Sequence, residues 1–296
     1  MKFKKLAILL AAVACVASLA LVGCGGSSDE AAPAEGDQAA ATTDLGLLNE
    51  GKLTVATSPD FPPFENIVDG EYVGLDMEIA KAVAAELGLE FNPVVIQFDG
   101  IIPALQSGGQ ADIAISGMTI TPERQDQVDF STAYYVDDLA IVVVSGGDLT
   151  ADNIDEALNA EGMTIAVQSG TTGESYATEN FASATTQPYG NATDTFAALQ
   201  SDQANAVITN KAVAEAMLAS YEDCEIVKSI ATNEEYGIAV PKGNEALLNA
   251  VNDAIAKLQA DGTIDKLTTE IMGSEIADVT EEAEQAIADA EANAAK

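Results

Sequence analysis

The chain has 296 residues and a formal net charge of −36, with 48 acidic against 12 basic side chains and no histidine. No basic patch is available to neutralise phosphates, which excludes nucleic acid as a partner. Without histidine, the usual Cys/His zinc spacings and the Ser-His and Cys-His catalytic pairs cannot be assembled, so neither a metal nor another cofactor is expected.

Taken in chain order, Lys2, Lys4 and Lys5 precede a nearly unbroken apolar run from Leu6 to Val22. Residues 1–24 read as an export signal, and its end, Leu21-Val22-Gly23-Cys24, resembles the bacterial lipobox, in which the cysteine is lipidated and becomes the new N-terminus. An uncleaved anchor is the other reading of that run. No second long apolar run follows, so the mature chain is not expected to span a membrane. Cys15 leaves with the signal and Cys24 carries lipid, so Cys224 has no internal disulfide partner and reads as a small, partly buried residue. Residues 25–48, dominated by Gly, Ser, Ala, Pro and acid, bury too little apolar surface to order themselves and read as a tether.

Short β-rich runs then alternate with helical ones, the pattern of an α/β chain with mostly parallel sheets. Leu53–Ala56 reads as a strand, and Ser58-Pro-Asp-Phe-Pro-Pro-Phe-Glu65 as a turn-rich loop. Leu75–Leu87 reads as a helix with Ile79, Val83 and Leu87 on one face, Asp76 and Glu78 at its positive start and Gly88 at its end. A strand at Phe91–Ile96, a helix at Gly100–Ser107 and a strand at Ala111–Ser116 follow.

Arg124 is the sole arginine, within Ser116-Gly-Met-Thr-Ile-Thr-Pro-Glu-Arg124. Thr121-Pro122 reads as an N-cap followed by a proline at the first helical position, which puts the guanidinium in the first turn of a helix. Its rigid fork of donors matches a carboxylate in bidentate fashion, and free N–H groups at a helix start add to that. An exposed residue pairing with Glu123 or Asp126 is the alternative.

An internal echo organises the rest. Ala104-Leu-Gln-Ser107 leading to Ala111–Ser116 recurs as Ala198-Leu-Gln-Ser201 leading to Ala204–Thr209, each a helix, a turn and a buried strand ending in a hydroxyl. Two like units suggest two lobes. The apolar β runs Ala140–Val144 and Tyr236–Val240 are the candidate crossings, and a chain that crosses twice makes a hinge. The expected organisation is residues 49–142 with 236–273 as lobe 1 and residues 143–235 as lobe 2. Residues 274–296 form an acidic helical tail, with Ile276, Val279, Ala283 and Ile287 at helical spacing.

The stretch 49–273 resembles the extracellular solute-binding proteins of family 3, which serve polar amino-acid ABC importers. The resemblance is carried by Gly74-Leu-Asp-Met-Glu-Ile-Ala80 with Leu87, by Phe98-Asp-Gly-Ile-Ile-Pro-Ala-Leu-Gln-Ser107, by Ala114-Ile-Ser-Gly-Met-Thr-Ile-Thr-Pro-Glu-Arg124 and by Phe130-Ser131. It implies a two-lobed type II periplasmic-binding-protein fold with two hinge strands and a ligand between the lobes. It also implies an extracytoplasmic protein that passes its ligand to a membrane permease.

By that resemblance Arg124 clamps the ligand's α-carboxylate and Thr119 assists with its N–H. The Thr119 hydroxyl and the Gly117 carbonyl meet the α-ammonium. Phe61 and Phe98 wall the side chain, although both could instead be lobe packing. The N–H of Thr172, in Gln168-Ser-Gly-Thr-Thr-Gly-Glu174, reaches the carboxylate from the second lobe. Ser116 belongs to the same set, or else satisfies buried backbone groups. Where the family often carries an aspartate for the ammonium, this chain has Asn210, so Glu174 or another acid would have to compensate. Asp60 and Glu65 are the acids near Ser58, where members that bind basic side chains often place one. The reading is capture of a small amino acid, with a polar or basic side chain favoured, followed by hinge closure and no catalysis. The alternative is a dehydratase-type enzyme on the same fold, with Glu174 as general acid acting on a cyclic carboxylate.

Overall fold

The structure, a computed structural model, describes residues 44–273 and 281–294. The export signal, Cys24, most of the tether, Ile276 and Val279 lie outside the described residues. The chain opens with β1 (Lys52–Thr57), a three-stranded antiparallel sheet of β2 (Asp60–Phe61), β3 (Glu65–Val68) and β4 (Glu71–Val73), and helix α1 (Leu75–Glu86). Next come β5 (Glu90–Val95), α2 (Phe98–Ser107), β6 (Ile113–Ala114), the single turn α3 (Pro122–Gln125) and β7 (Val128–Phe130). The long strand β8 (Tyr135–Val144) leads to α4 (Ile154–Leu158), β9 (Thr164–Gln168), α5 (Thr172–Asn180) and β10 (Thr185–Tyr189). These are followed by α6 (Ala192–Gln200), β11 (Ala206–Asn210), α7 (Lys211–Met217) and β12 (Cys224–Tyr236). The chain closes with β13 (Ala239–Pro241), α8 (Glu245–Ala260), α9 (Thr263–Met272) and α10 (Glu281–Ala294).

Two five-stranded sheets carry the two lobes, in the orders β5-β1-β6-β13-β7 and β10-β9-β11-β8-β12. The echo noted in sequence falls on equivalent places: α2 leads to β6 and α6 leads to β11, and each strand is the middle one of its sheet. In each sheet the first three strands pair in parallel, and the two pairings beyond the middle strand are antiparallel. The antiparallel half arises from the crossings, because β8 and β13 enter their sheets from the other lobe, against the run of the βα units.

Apolar burial follows the expected faces. Leu75, Met77, Ile79, Ala80, Val83 and Ala84 of α1 are buried, and the helix stops where Gly88 takes φ +68°. The hinge is aromatic: Phe64 meets the rings of Tyr135 and Tyr236 at 5.2 Å between centroids, edge-on in both cases. Phe64 is fully buried. The helix α10 packs beside β3 and β5, with Ile287 buried and Glu291 accepting a hydrogen bond from Gln97 Nε2. Among the described residues no helix is long and apolar enough to cross a membrane. Cys224 is a free, buried thiol, pushed up to about 11 mainly by burial.

Candidate functional site

The two middle strands deliver their C-terminal ends to the seam between the lobes, where open α/β sheets present ligands. Beyond β6 run Ser116, Gly117 and Thr119; at the end of β11 sits Asn210. Gly117 takes φ +52°, and a Cβ there would lie 2.9 Å from the Phe61 ring, so only glycine lets the chain turn over that ring. The turn is held from behind by Asp76, whose Oδ2 accepts from Gly117 N–H at 2.6 Å while Oδ1 accepts from Tyr134 Oη at 2.9 Å.

Arg124 is 8% exposed and is not the surface residue that pairing with Glu123 or Asp126 would require. Thr121 caps α3 by accepting from Arg124 N–H at 3.2 Å, with Pro122 at the helix start. α3 is only one turn long, so its dipole is small, and the Thr121 cap already takes one of the N–H groups at its start. The guanidinium itself bridges the lobes: Nη1 donates to the Thr119 carbonyl at 2.8 Å and Nη2 to the Gly170 carbonyl of lobe 2 at 3.0 Å. It lies over the Phe98 ring, 5.3 Å from the centroid. Burial pulls the guanidinium down from its ordinary range, while the charge of Glu234 opposes that shift.

Thr172 opens α5 behind its N-cap Thr171, so its N–H belongs to the first turn and has no acceptor within the helix. Gly173 packs that turn onto β11; a Cβ there would sit 2.7 Å from the Ile208 carbonyl oxygen, which leaves no room for a side chain. Glu174 accepts from Gly170 N–H at 2.7 Å and so stabilises its own loop. It borders an open groove of about 690 Å³ on the outer side of Arg124, also lined by Phe98, Met118 and Thr172. Thr119 and Asn210 are not among the groove's lining residues.

The candidate residues do not all meet. Thr119, Thr172 and Asn210 converge on one point, and Arg124 adjoins it. Ser116 is fully buried and already engaged, accepting from Ser58 N–H at 3.1 Å and donating to Glu65 Oε1 at 2.6 Å. Phe61 is buried beneath Gly117 and stacked on Phe64 at 6.2 Å.

Four acids have roles that the sequence did not reveal. Glu65 and Asp76 are both fully buried; burial and the neighbouring Asp76 charge raise Glu65 well above the usual range, while burial brings Asp76 to about 6. Two buried carboxyls that interact this closely disfavour a second negative charge, so ionisation of the pair is resisted. Asp60 spans the seam: Oδ1 accepts from Ser58 Oγ at 3.0 Å and Oδ2 accepts from the Ala192 N–H at the start of α6, at 2.5 Å. Burial lifts it to about 6. The fourth is Glu234 on hinge strand β12, 8% exposed. Its Oε2 accepts from Thr119 Oγ1 at 2.8 Å, Thr172 Oγ1 at 2.9 Å and Asn210 Nδ2 at 3.0 Å. The only signal in sequence was an acidic pair, Glu234-Glu235, directly before the crossing run.

A buried guanidinium and a buried carboxylate, set between two like lobes and joined through hydroxyls and an amide, make a candidate site with the chemistry to take a small polar solute. Comparison with known proteins gives the family. The bacterial extracellular solute-binding proteins, family 3, match residues 53–274, and the chain belongs to that family. It is similar to the L-cystine-binding protein TcyJ of Escherichia coli (strain K12), 31% identical over 239 residues, covering 79% of this chain and 88% of the relative. It is also similar to the arginine-binding extracellular protein ArtP of Bacillus subtilis (strain 168), 32% identical over 267 residues, covering 88% and 95%. Among solved structures, the amino acid ABC transporter substrate-binding protein AbpA from Streptococcus pneumoniae, bound to L-arginine, superposes with a TM-score of 0.71 at 33% identity, covering 78% of this chain and 99% of that one. The fold is thus the type II periplasmic-binding architecture, and the chain is an extracytoplasmic solute-binding protein rather than an enzyme.

Proposed function

We propose that this protein captures a free L-amino acid with a polar or basic side chain and hands it to an ABC importer when its lobes close. The observation that carries this reading is the meeting of Arg124 and Thr119 from lobe 1 with Thr172 and Asn210 from lobe 2 at one buried seam. In the open form Arg124 receives the α-carboxylate, with the Thr119 N–H beside it; closure brings the N–H of Thr172 to the same group. A ligand touching both lobes stabilises the closed form in proportion to the contacts made only there.

The side-chain preference rests on unmet acceptors. Gln168 Oε1 and Asn191 Oδ1 are buried in lobe 2 with no hydrogen-bond partner among the described residues. Both adjoin the seam: Gln168 Nε2 donates to the carbonyl of Gly190, where a Cβ would lie 2.4 Å from Gln97 Nε2 of lobe 1, and Ala192, next to Asn191, meets Asp60 of lobe 1. Buried acceptors left without donors are costly, and a ligand rich in N–H groups satisfies them. That agrees with relatives named for arginine and cystine. The dehydratase reading is not favoured, because Glu174 is tied to its own loop.

Lipid on Cys24, attached after export, holds the mature protein beside its permease and raises their effective concentration. Mass spectrometry of the membrane fraction should find a diacylglyceryl group on a chain that begins at Cys24. For the ligand, a thermal-shift screen over free amino acids is decisive, since a molecule that binds only the native state must raise the melting temperature. An arginine-like or amide-bearing amino acid is expected to give the largest rise; a flat response across the whole panel would sink the reading.

A further inference from the structure

Two opposite charges at the seam, Arg124 and Glu234, do not pair with each other. Arg124 and Glu234 are each 8% exposed, yet the ion pairs among the described residues include neither. Thr119 stands between them, its carbonyl accepting from Arg124 and its hydroxyl donating to Glu234. All three donors on Glu234 Oε2 are neutral, and they come from both lobes. Arg124 feels the Glu234 charge but stays beyond ion-pair distance, so a carboxylate whose direct donors are all neutral is only partly compensated for its burial. Two opposite charges held apart across one threonine match a zwitterion, with the acid group toward Arg124 and the ammonium toward Glu234.

We propose that Glu234 supplies the counter-charge for the ligand's α-ammonium, the role that Asn210, a neutral strand-end residue, cannot fill. This assignment rests on the amino-acid reading above. Asn210 then acts as a positioning residue: its Nδ2 donates to the carboxylate and fixes it in the seam. Charge and amide have exchanged places, the acid coming from hinge strand β12 and the amide from the end of β11. The hinge thereby reads the ligand directly, since Tyr236, two residues on, is one of the rings on which the lobes pivot.

The test uses four amino acids and their counterparts lacking only the α-amine. These are L-arginine with 5-guanidinopentanoic acid, L-glutamine with glutaramic acid, L-histidine with 3-(imidazol-4-yl)propanoic acid, and L-cystine with 3,3′-dithiodipropionic acid. Calorimetry gives the affinity ratio within each pair for the wild-type chain, Glu234→Gln, and the double exchange Asn210→Asp/Glu234→Gln. Glu234→Gln is expected to lower the ratio for the bound amino acid on the order of 10- to 100-fold, the size of one charge-assisted hydrogen bond. The double exchange, which keeps one carboxylate and one amide in contact, is expected to recover most of that ratio. It also decides the matter should the single variant fail to fold. A ratio unmoved by Glu234→Gln overturns the assignment, as does tighter amino-acid binding in that variant, which would make Glu234 a plug competing for the ligand's donors. A wild-type chain that binds none of the four amino acids overturns the amino-acid reading as well; one that binds and shows an unmoved ratio overturns this assignment alone.

Discussion

The two lobes share a strand order but bring different chemistry to the seam. Lobe 1 holds the ionisable groups: Glu65 and Asp76 are fully buried, and Arg124, nearly so, reaches across to the Gly170 carbonyl. Lobe 2 offers neutral groups, namely the hydroxyl of Thr172, the amides of Gln168 and Asn210, the Gly170 carbonyl and the Ala192 N–H. Moving a charge out of water is expensive, whereas a neutral hydrogen-bonding group moves at smaller cost. A mobile lobe built of neutral groups can therefore close and open without desolvating an ion of its own each time. Arg124 on the Gly170 carbonyl, Asp60 with its carboxylate on the start of α6, and Glu234 at the hinge are the charges that the closing lobe must accommodate.

That contrast can be broken at its strongest point. Replacing Arg124 by Ala removes the proposed carboxylate clamp and the bridge to Gly170. We expect amino-acid affinity to fall by about 3 to 5 kcal/mol, roughly a hundredfold to several thousandfold, with the far-UV circular dichroism unchanged. Affinity within tenfold of wild type would place the clamp elsewhere. Next in size is the proton linkage. Asp60 and Asp76 sit at about 6, above their ordinary 3.8, with burial as the leading cause. The native state therefore holds protons that the unfolded chain releases at lower pH. The stability they contribute is full below about 3.8 and is lost as pH rises through about 6. Asp60→Asn should flatten the fall in urea-unfolding free energy between about pH 4 and about pH 7 by up to ~3 kcal/mol; an unchanged slope would remove Asp60 from that linkage.

A backbone change should be smaller. Gly117→Ala forces a side chain onto φ +52° and against Phe61, and about 2 kcal/mol of stability should be lost. An undiminished urea midpoint would show that the turn can relax. The smallest effect belongs to the outer surface of lobe 2. Lys228 pairs with Asp155 at 2.5 Å, but Asp155 is 65% exposed. Lys228→Ala should change the unfolding free energy by less than ~1 kcal/mol, and less still in high salt. A larger loss would mean that surface charge carries weight that the comparison assigns to the seam.

How much of this could be read beforehand depended on the range of the signal. Arg124 stood out because it was alone and its cap residues are adjacent in sequence. The echo located both middle strands because each unit is a local helix, turn and strand. Asp76 read as a helix-start acid because its true partners, Gly117 and Tyr134, lie 41 and 58 residues away. Glu234 was hidden by geometry. The pairing of β12 with β8 slips in register between Ile230 and Glu234, and Asn233 takes φ +51°. Such a slip decides which face a residue presents, and alternation along the strand cannot report it. Ser116 was legible as a buried hydroxyl, but its neighbours Ser58 and Glu65 come from distant segments.

The place of β13 reaches beyond binding. It lies between β6 and β7, pairing Ala239 with Ala114 on one side and with Phe130 on the other. Until residue 239 has emerged from the ribosome, the first sheet is missing its connecting member, although its other strands were made more than a hundred residues earlier. The inserted lobe can finish folding first, and the host lobe must wait for long-range pairing, the slow kind of assembly. The last strand to be made is therefore the one that joins the two halves of the host sheet, so a chain cut short before residue 239 leaves β6 and β7 without the partner they share.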